Sequence, residues 1–430
     1  MGRAKEKLME LEEKPYCPTD KVVCNECVKD KILKRAFKGK WEKRICDYCN
    51  FEAKCIPVND LIENILEGIF FEYDYAANGL AWDEGEYVGD FLDTYDLLHK
   101  LSGDIDVKDN LFEDIIEIIK PDSWCRKCFY GAEENEEQLT LWGLFSKMVR
   151  TRIRYVFLDY PKEKLDYYEK RYKKPSIILN YITNKAKSIG LFSYIEENTK
   201  IYRGRVHKAR EKLNGAKDLG SPPNKKAKDN RMSAKGISIF YGADGIETTI
   251  REIYDDNFPC VTVAPFINLR KLVVLDLTKI DNVEFPSLFD KYKRENREAI
   301  LFFRKLKKIL TKPIKNMKSI EYIPIQIIAE YFRYICKYEG NNIDGIIYNS
   351  SKKSDGKCYA LFFDYEQCLE YSNQISWKSS EKKQELKIIE EEIKTYMVCR
   401  KTEQQNNNSR FDDFFKGSAS ELIIKEIRES

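Results

Sequence analysis

The chain has 430 residues, 43% of them hydrophobic, more than one core usually accommodates, so two domains with short appendages are expected. Its 74 Lys plus Arg stand against 71 Asp plus Glu, a net charge of +3, which gives no global field for nucleic acid or an anionic membrane. The start MGRAKEKLME is charged rather than apolar and no run reaches the roughly 20 apolar residues of a membrane span, so a cytoplasmic location and reduced thiols are expected.

Residues 1–57 are basic and cysteine-rich. They carry Cys24-x2-Cys27 and, 18 residues on, Cys46-x2-Cys49. Two such knuckles each offer two thiolates from one tight turn, the tetrahedral set that zinc prefers, against the plainer reading of buried free thiols. Four cysteines leave no open coordination position, so the expected Zn2+ is structural. Cys17 and Cys55 flank the set as rival ligands, and Trp124-Cys125-x2-Cys128 is a lone third knuckle, read as a core or helix-end feature.

Residues 58–195 read as a mostly helical domain. Leu61, Ile65, Leu66 and Ile69 recur at helical spacing, followed by Leu111, Ile115, Ile118 and Ile119 and by Leu141, Leu144, Phe145 and Met148. From Asp60 to Glu137 there are 22 acids against 5 Lys plus Arg, a surface that repels nucleic acid.

The composition then inverts, with 11 basic and 3 acidic residues between Arg203 and Lys235 around the loop Leu219-Gly-Ser-Pro-Pro-Asn224. Short β-type runs follow at Ile237–Tyr241, Val261–Phe266, Leu272–Leu277, Ile343–Tyr348 and Tyr359–Phe363. Asp244 and Glu247 have capping-box spacing for a helix through Glu252, and longer helices are expected at Lys291–Leu310 and Pro324–Tyr338. A domain over 196–375 is therefore mixed α and β, and 376–430 reads as a charged tail with the polar tract Gln404–Ser409 and a terminal amphipathic helix at Phe411–Ile427.

Most catalytic machinery is missing. The chain has two histidines, His99 and His207, neither in a triad or metal motif and both read as surface or helix-end residues. It has no dinucleotide fingerprint, P-loop, kinase set, nucleophile elbow or zincin motif.

What stands out is Ile201-Tyr-Arg-Gly-Arg205, the loop at Leu219–Asn224, the run from Arg231 through Ser233 to Tyr241, and Thr248-Thr-Ile-Arg-Glu252. This series resembles the RES domain, a family of NAD-consuming toxins with an ADP-ribosyltransferase-like fold. Ile343–Ser350 and Tyr359–Phe362 resemble that family's closing strands. Upstream, Cys24–Cys27, Cys46–Cys49, Glu84-Gly-Glu-Tyr87, Trp124-Cys125 and Trp142–Phe157 resemble the HEPN/RES N-terminal domain. The implied fold class is α+β: a helical N-terminal domain with a four-cysteine zinc module, then a mixed α/β ADP-ribosyltransferase-like domain with an added helical insertion.

Carried over by position, the resemblance implies Arg231, Tyr241 and Glu252 as catalytic residues and Arg203, Tyr202 and Ser350 as NAD-binding residues, with Ser351 a rival for Ser350. Ser233 stands where the family commonly has Asn, and the stretch from Glu252 to Ser350 is longer than in compact members. Read singly, these are ordinary residues of a basic loop, a strand end and a helix. The implied chemistry is coherent: arginine forks grip phosphate oxygens, tyrosine offers a flat face, and a carboxylate favours the positive charge that develops on ribose as nicotinamide leaves.

The resemblance implies a toxin or defence effector that cleaves the nicotinamide–ribose bond of NAD+ in water or phosphate, restrained by an antitoxin or triggered in antiphage defence, as a single chain or a homo-oligomer. Transfer of ADP-ribose to a macromolecule is the alternative enzyme. An RNA-directed HEPN function is the non-catalytic or nucleolytic rival, but neither histidine is separated from a preceding arginine by the four to six intervening residues such nucleases use.

Overall fold

The computed structural model describes residues 14–127, 141–155, 175–311, 319–369, 383–400 and 422–427. The chain divides into two compact units: residues 1–143 with 284–298, and residues 144–283 with 299–430.

In the first unit the order is β1 (Val22–Cys24), α1 (Lys31–Ala36), β2 (Glu42–Ile45), β3 (Glu52–Pro57), α2 (Val58–Glu72), β4 (Tyr73–Tyr75), α3 (Ala76–Gly79), β5 (Ala81–Asp83), β6 (Glu86–Val88), β7 (Leu92–Asp93), α4 (Thr94–Lys100), α5 (Asp109–Ile118) and β8 (Ser123–Arg126). Strands β1, β3 and β2 form a small antiparallel sheet over the cysteine-rich stretch. The expected helical spacing is realised in α2, whose Leu61, Ile62, Ile65, Leu66 and Ile69 are buried as one stripe. Asp93 caps α4 by accepting from the Asp96 amide at 2.7 Å.

This stretch is less helical than its periodicity implies. Strands β4, β8 and β7 form a second sheet, and β5 and β6 a hairpin whose turn holds Glu84 at φ 46° and Gly85 at φ 92°. Trp124 and Cys125 lie buried in strand β8 rather than at a helix end, with the Trp124 indole donating to Thr94 Oγ1 at 3.0 Å. Cys128 lies outside the described residues.

The segment 284–298, which follows more than 140 residues after the rest of this unit, completes its core. Leu288 and Phe289 are buried in it, and the Phe289 ring fills the space where a side chain on Gly68 would stand. Lys291 and Arg294 both pair with Glu67. Arg297 is sunk between Glu72, at 2.5 Å, and Asp104, at 3.4 Å, and also donates to the Pro286 carbonyl at 2.5 Å. Burial raises the pKa of Asp104, and Arg297 opposes that rise.

The second unit runs through α6 (Leu141–Thr151), α7 (Pro175–Ser188), β9 (Phe192–Ile195), β10 (Lys200–His207), α8 (Gly215–Leu219), β11 (Phe240–Ala243), α9 (Ile246–Ile253), β12 (Cys260–Asn268), β13 (Leu272–Asp276), α10 (Arg297–Thr311), α11 (Ile323–Tyr334), β14 (Lys337–Tyr338), β15 (Asn341–Asn342), β16 (Gly345–Asn349), β17 (Lys357–Leu361), β18 (Leu386–Ile388), β19 (Lys394–Arg400) and β20 (Leu422–Ile427); the first residues of α6 and α10 count with the other unit. Among the described residues its centre is a ten-stranded sheet ordered β20-β19-β12-β10-β11-β17-β16-β13-β9, with β18 paired to β12. Within that sheet only β13 and β16 run parallel. The fold is thus mixed α and β around one large sheet.

All five expected β runs supply strands, with shifted ends. The expected helices occur at Arg297–Thr311 and Ile323–Tyr334. Three readings are corrected. The Asp244/Glu247 capping box does not form: Gly245 is the cap, Asp244 accepts from the Lys357 amide at 2.9 Å, and Glu247 pairs with Arg251 at 2.8 Å. The described part of the supposed terminal helix, Leu422–Ile427, is strand β20, because β19 offers it a full antiparallel ladder; Gln404–Ser409 lie outside the described residues. His207 is neither surface nor helix-end but buried at the end of β10, its Nε2 2.8 Å from Thr262 Oγ1.

A buried carboxylate, Asp344, sits beside the parallel pair and is met by the half-exposed Arg270. Arg270 donates to both Asp344 oxygens, at 2.6 and 2.9 Å, and to Glu385 at 2.7 Å, while Asp344 also accepts from the Val273 amide at 2.9 Å. The pair with Asp344 raises the pKa of Arg270.

Candidate active site and metal centre

Strand β10 pairs with β12 over eight residues but meets β11 at one position, Tyr202 opposite Ala243. The two strands therefore splay, and a cavity of about 290 Å³ opens there. Strand alternation directs Tyr241 and Ala243 of β11, Cys358 of β17 and Tyr348 of β16 toward it, Ala243 standing opposite Cys358 and Cys358 opposite Tyr348. Helix α9 covers one side with Thr249 and Glu252, a turn apart, and the loop between α8 and β11 supplies Asn230, Arg231 and Ser233.

Gly204 permits this helix to sit so close. A Cβ there would lie 2.9 Å from Ile253, 3.1 Å from Thr249 and 3.2 Å from the Thr262 carbonyl.

Arg203 reaches into the splay. Its Nε donates to the Gly220 carbonyl at 3.1 Å, one terminal nitrogen donates to the Tyr241 carbonyl at 2.5 Å, and the guanidinium lies 5.2 Å from the Phe240 ring centre. Burial lowers its pKa to about 10, which leaves it charged at neutral pH. Arg231 is buried at 9% exposure, unusual for a charge in a loop. The Tyr241 hydroxyl lies 3.1 Å from Ser233 Oγ, and burial pushes its pKa up to about 12, so it stays protonated.

Glu252 is held by the turn after β16. Its Oε1 accepts from the Ser350 hydroxyl and, at 2.9 Å, from the Ser351 amide. Ser350 Oγ in turn accepts from the amides of Lys352 and Lys353, at 3.0 and 3.1 Å. Burial first, and the nearby Glu252 carboxylate second, push the Cys358 thiol up; burial likewise holds the Tyr348 hydroxyl well above its usual pKa.

The structure brings Arg203, Arg231, Tyr241 and Glu252 to one cavity. It does not bring Tyr202, which packs beside Val206 and Ile253 against the cluster of Ile250, Val261 and Val263. Ser350 backs Glu252 while its neighbour Ser351 lines the cavity. Sequence reasoning missed Thr249, Tyr348 and Cys358. The first sits three residues before Glu252 and the second two before Ser350, so the periods of helix and strand carry a signal for both; Cys358 follows only from strand pairing.

In the first unit Cys24, Cys27, Cys46 and Cys49 have their sulfurs within 4.8 Å of one another. Cys24 and Cys49 sulfurs are 3.7 Å apart and those of Cys27 and Cys46 3.9 Å, matching the roughly 3.8 Å edge of a tetrahedron with metal–sulfur bonds of about 2.3 Å. The amides of Cys24 and Tyr48 point at Cys46 Sγ, at 3.3 and 3.4 Å, as they would toward a thiolate. Neither rival belongs to the cluster: the Cys55 thiol turns to the Arg44 and Ala53 carbonyls, and Cys17 is exposed.

No helix among the described residues is long and apolar enough to cross a membrane. Comparison with curated proteins gives no match, and neither does comparison with solved structures. Against protein families, residues 40–163 match HEPN/RES N-terminal domain 1 and residues 201–378 match the RES domain. The second match contains the splayed strands and every residue of the cavity, and RES domains are associated with NAD+ and with toxin–antitoxin systems. The chain therefore joins a HEPN/RES N-terminal domain to a RES domain.

Proposed function

We propose that the RES domain of this chain binds NAD+ in the cavity between β10 and β11 and cleaves the nicotinamide–ribose bond, on an ADP-ribosyltransferase-like fold. The observation that carries this reading is the convergence of Arg203, Arg231, Tyr241 and Glu252 on one cavity, with the Glu252 carboxylate held by Ser350 and Ser351. Breaking the bond sends its electron pair to the nicotinamide nitrogen, which becomes neutral, and leaves positive charge on the ribose carbon. A carboxylate already fixed by two donors lowers the energy of that charge without having to reorganise at the moment of reaction. Arg231 takes the diphosphate as a fork. Tyr241, kept protonated, presents its ring to nicotinamide and a hydroxyl already oriented by Ser233. Arg203 spends donors on two carbonyls, so its part is as much to hold the splay open as to bind.

The acceptor in this reading is water or phosphate, which makes the protein a NAD-depleting toxin or defence effector acting in the cytoplasm under a partner's restraint. The sulfur tetrahedron favours a structural Zn2+ held by Cys24, Cys27, Cys46 and Cys49. The test is to incubate purified protein with NAD+ in water, phosphate or added macromolecule and to follow nicotinamide release beside Arg231→Ala. Release that needs Arg231 supports the reading. No release under any condition sinks it, and release only with macromolecule moves it to ADP-ribosyl transfer.

A further inference from the structure

The loop that carries Arg231 is a short reverse turn with little of its own to hold it. Asn230 and Ser233 form an isolated bridge, the Asn230 amide donating to the Ser233 carbonyl at 2.8 Å and the return bond stretched to 3.4 Å. A second closure joins the Gly236 amide to the Ala227 carbonyl at 3.1 Å. Of the turn's side chains, Met232 is buried at 1% exposure and Ser233 at 3%. Within it stand both Arg231 and the serine that orients Tyr241.

Helix α11, far away in sequence, reaches this turn through one side chain. Gln326 is buried at 8% exposure, and its Nε2 lies 2.7 Å from Asp229 Oδ1, 2.7 Å from the Asn230 carbonyl and 3.3 Å from the Ser233 carbonyl. Three acceptors thus face one amide nitrogen at the two ends of the turn and on the residue before it. An NH2 group has two hydrogens, so the two short bonds are made in full and the third is shared. Asp229 and Asn230 are exposed at the outer end of this contact while Gln326 and Ser233 are buried, and a carbonyl facing a carboxylate and another carbonyl repels them unless a donor stands between.

We propose that Gln326 is a positioning residue of the active site, which fixes the turn 229–233 and through it the guanidinium of Arg231 and the Ser233–Tyr241 pair. It acts through those residues and touches no substrate. This rests on the reading of the cavity as an NAD site only for its kinetic readout, because the pinning of the turn is a property of the free protein. A misplacement of about 1 Å in such a group costs on the order of 100-fold in rate.

The experiment compares wild type, Arg231→Ala, Gln326→Glu, Asp229→Asn and the double variant Gln326→Glu/Asp229→Asn in the full chain. Gln326→Glu keeps the volume and removes the donor. The expected result is a fall of roughly 10- to 100-fold in kcat for nicotinamide release with a thermal midpoint near wild type. The double variant exchanges donor and acceptor across the 2.7 Å contact and recovers part of the loss. The second readout needs no NAD: trypsin cuts after Arg231 slowly in wild type, faster in Gln326→Glu, and slower again in the double variant, as mass spectrometry of the fragments shows.

Wild-type kcat together with wild-type cleavage after Arg231 in Gln326→Glu overturns the proposal. Equal losses in both Gln326→Glu and the double variant, with a large fall in thermal midpoint, also overturn it, since that is general destabilisation. If wild type releases no nicotinamide, the functional reading fails while the proteolysis pattern still decides the role of Gln326.

Discussion

At the scale of single residues the arrangement around Glu252 makes the sharpest predictions. Glu252→Gln keeps an oxygen that accepts from the Ser350 hydroxyl and the Ser351 amide, so the fold is retained while the negative charge is lost. Nicotinamide release is expected to drop by roughly 100-fold or more with little change in thermal midpoint; a variant within twofold of wild type removes Glu252 from the chemistry. Ser350→Ala takes away the donor to Glu252 and the acceptor for two backbone amides together, so a loss of about tenfold in rate is expected beside a destabilisation of about 1–3 kcal/mol, read from kinetics and urea unfolding. The sequence offered Ser350 as a binding residue, whereas it stands behind Glu252, a contact between residues 98 apart of which spacing along the chain says nothing. Tyr202 shows the opposite failure. It stands beside Arg203 in the same motif, and the alternation of a strand sends neighbours to opposite faces.

At the scale of elements, what the sequence made legible follows burial. The strands at Cys260–Asn268 and Leu272–Asp276 are continuous apolar runs, covered on both faces, and they appear close to where their composition places them. Leu422–Ile427, three apolar residues followed by Lys425, Glu426 and Ile427, is too short for periodicity to assign, and pairing with β19 decides it. Asp244 had the right spacing for a cap, yet a neighbouring strand's amide claims its carboxylate. Close packing of α9 on β10 gives a test at this scale: Gly204→Val drives methyls into Ile253 and Thr249, displaces the helix that carries Glu252, and is expected to cost about 1–3 kcal/mol and most of the activity, as urea midpoints and NAD assays would show. Arg297→Met leaves the buried Glu72 with Arg126 alone, at 3.8 Å, and takes the cation from the partly buried Asp104, so a loss of about 1–3 kcal/mol in the first unit is expected; no measurable change would mean that Arg126 and water replace it.

At the scale of the whole molecule, the two units share one chain in an interrupted order, which composition could not reveal. In the sequence Lys291–Arg294 is only the start of an expected helix, whereas the structure sets Lys291 and Arg294 against Glu67. Two predictions belong here. A fragment of residues 1–143 lacks Leu288, Phe289 and Arg297 and is expected to remain unfolded by circular dichroism, while a version with 284–298 joined through a flexible linker folds; a folded, cooperative 1–143 would contradict this. Zinc removal by a strong chelator is expected to lower the unfolding temperature of the first unit, with Cys46→Ser reproducing the effect; elemental analysis finding no metal in reduced protein would refute the assignment.

The placement of 284–298 also sets an order of events during synthesis. The ribosome delivers residues 1–143 first, but their core lacks a wall until roughly 150 more residues have been made, which at about 5–20 residues per second takes on the order of ten seconds or longer. Arg203, Arg231, Tyr241 and Glu252 all emerge within that interval, whereas Ser350 and the strands that close the cavity come after it. A nascent chain therefore has its whole amino-terminal unit before the strands that close the cavity of the RES domain have been made.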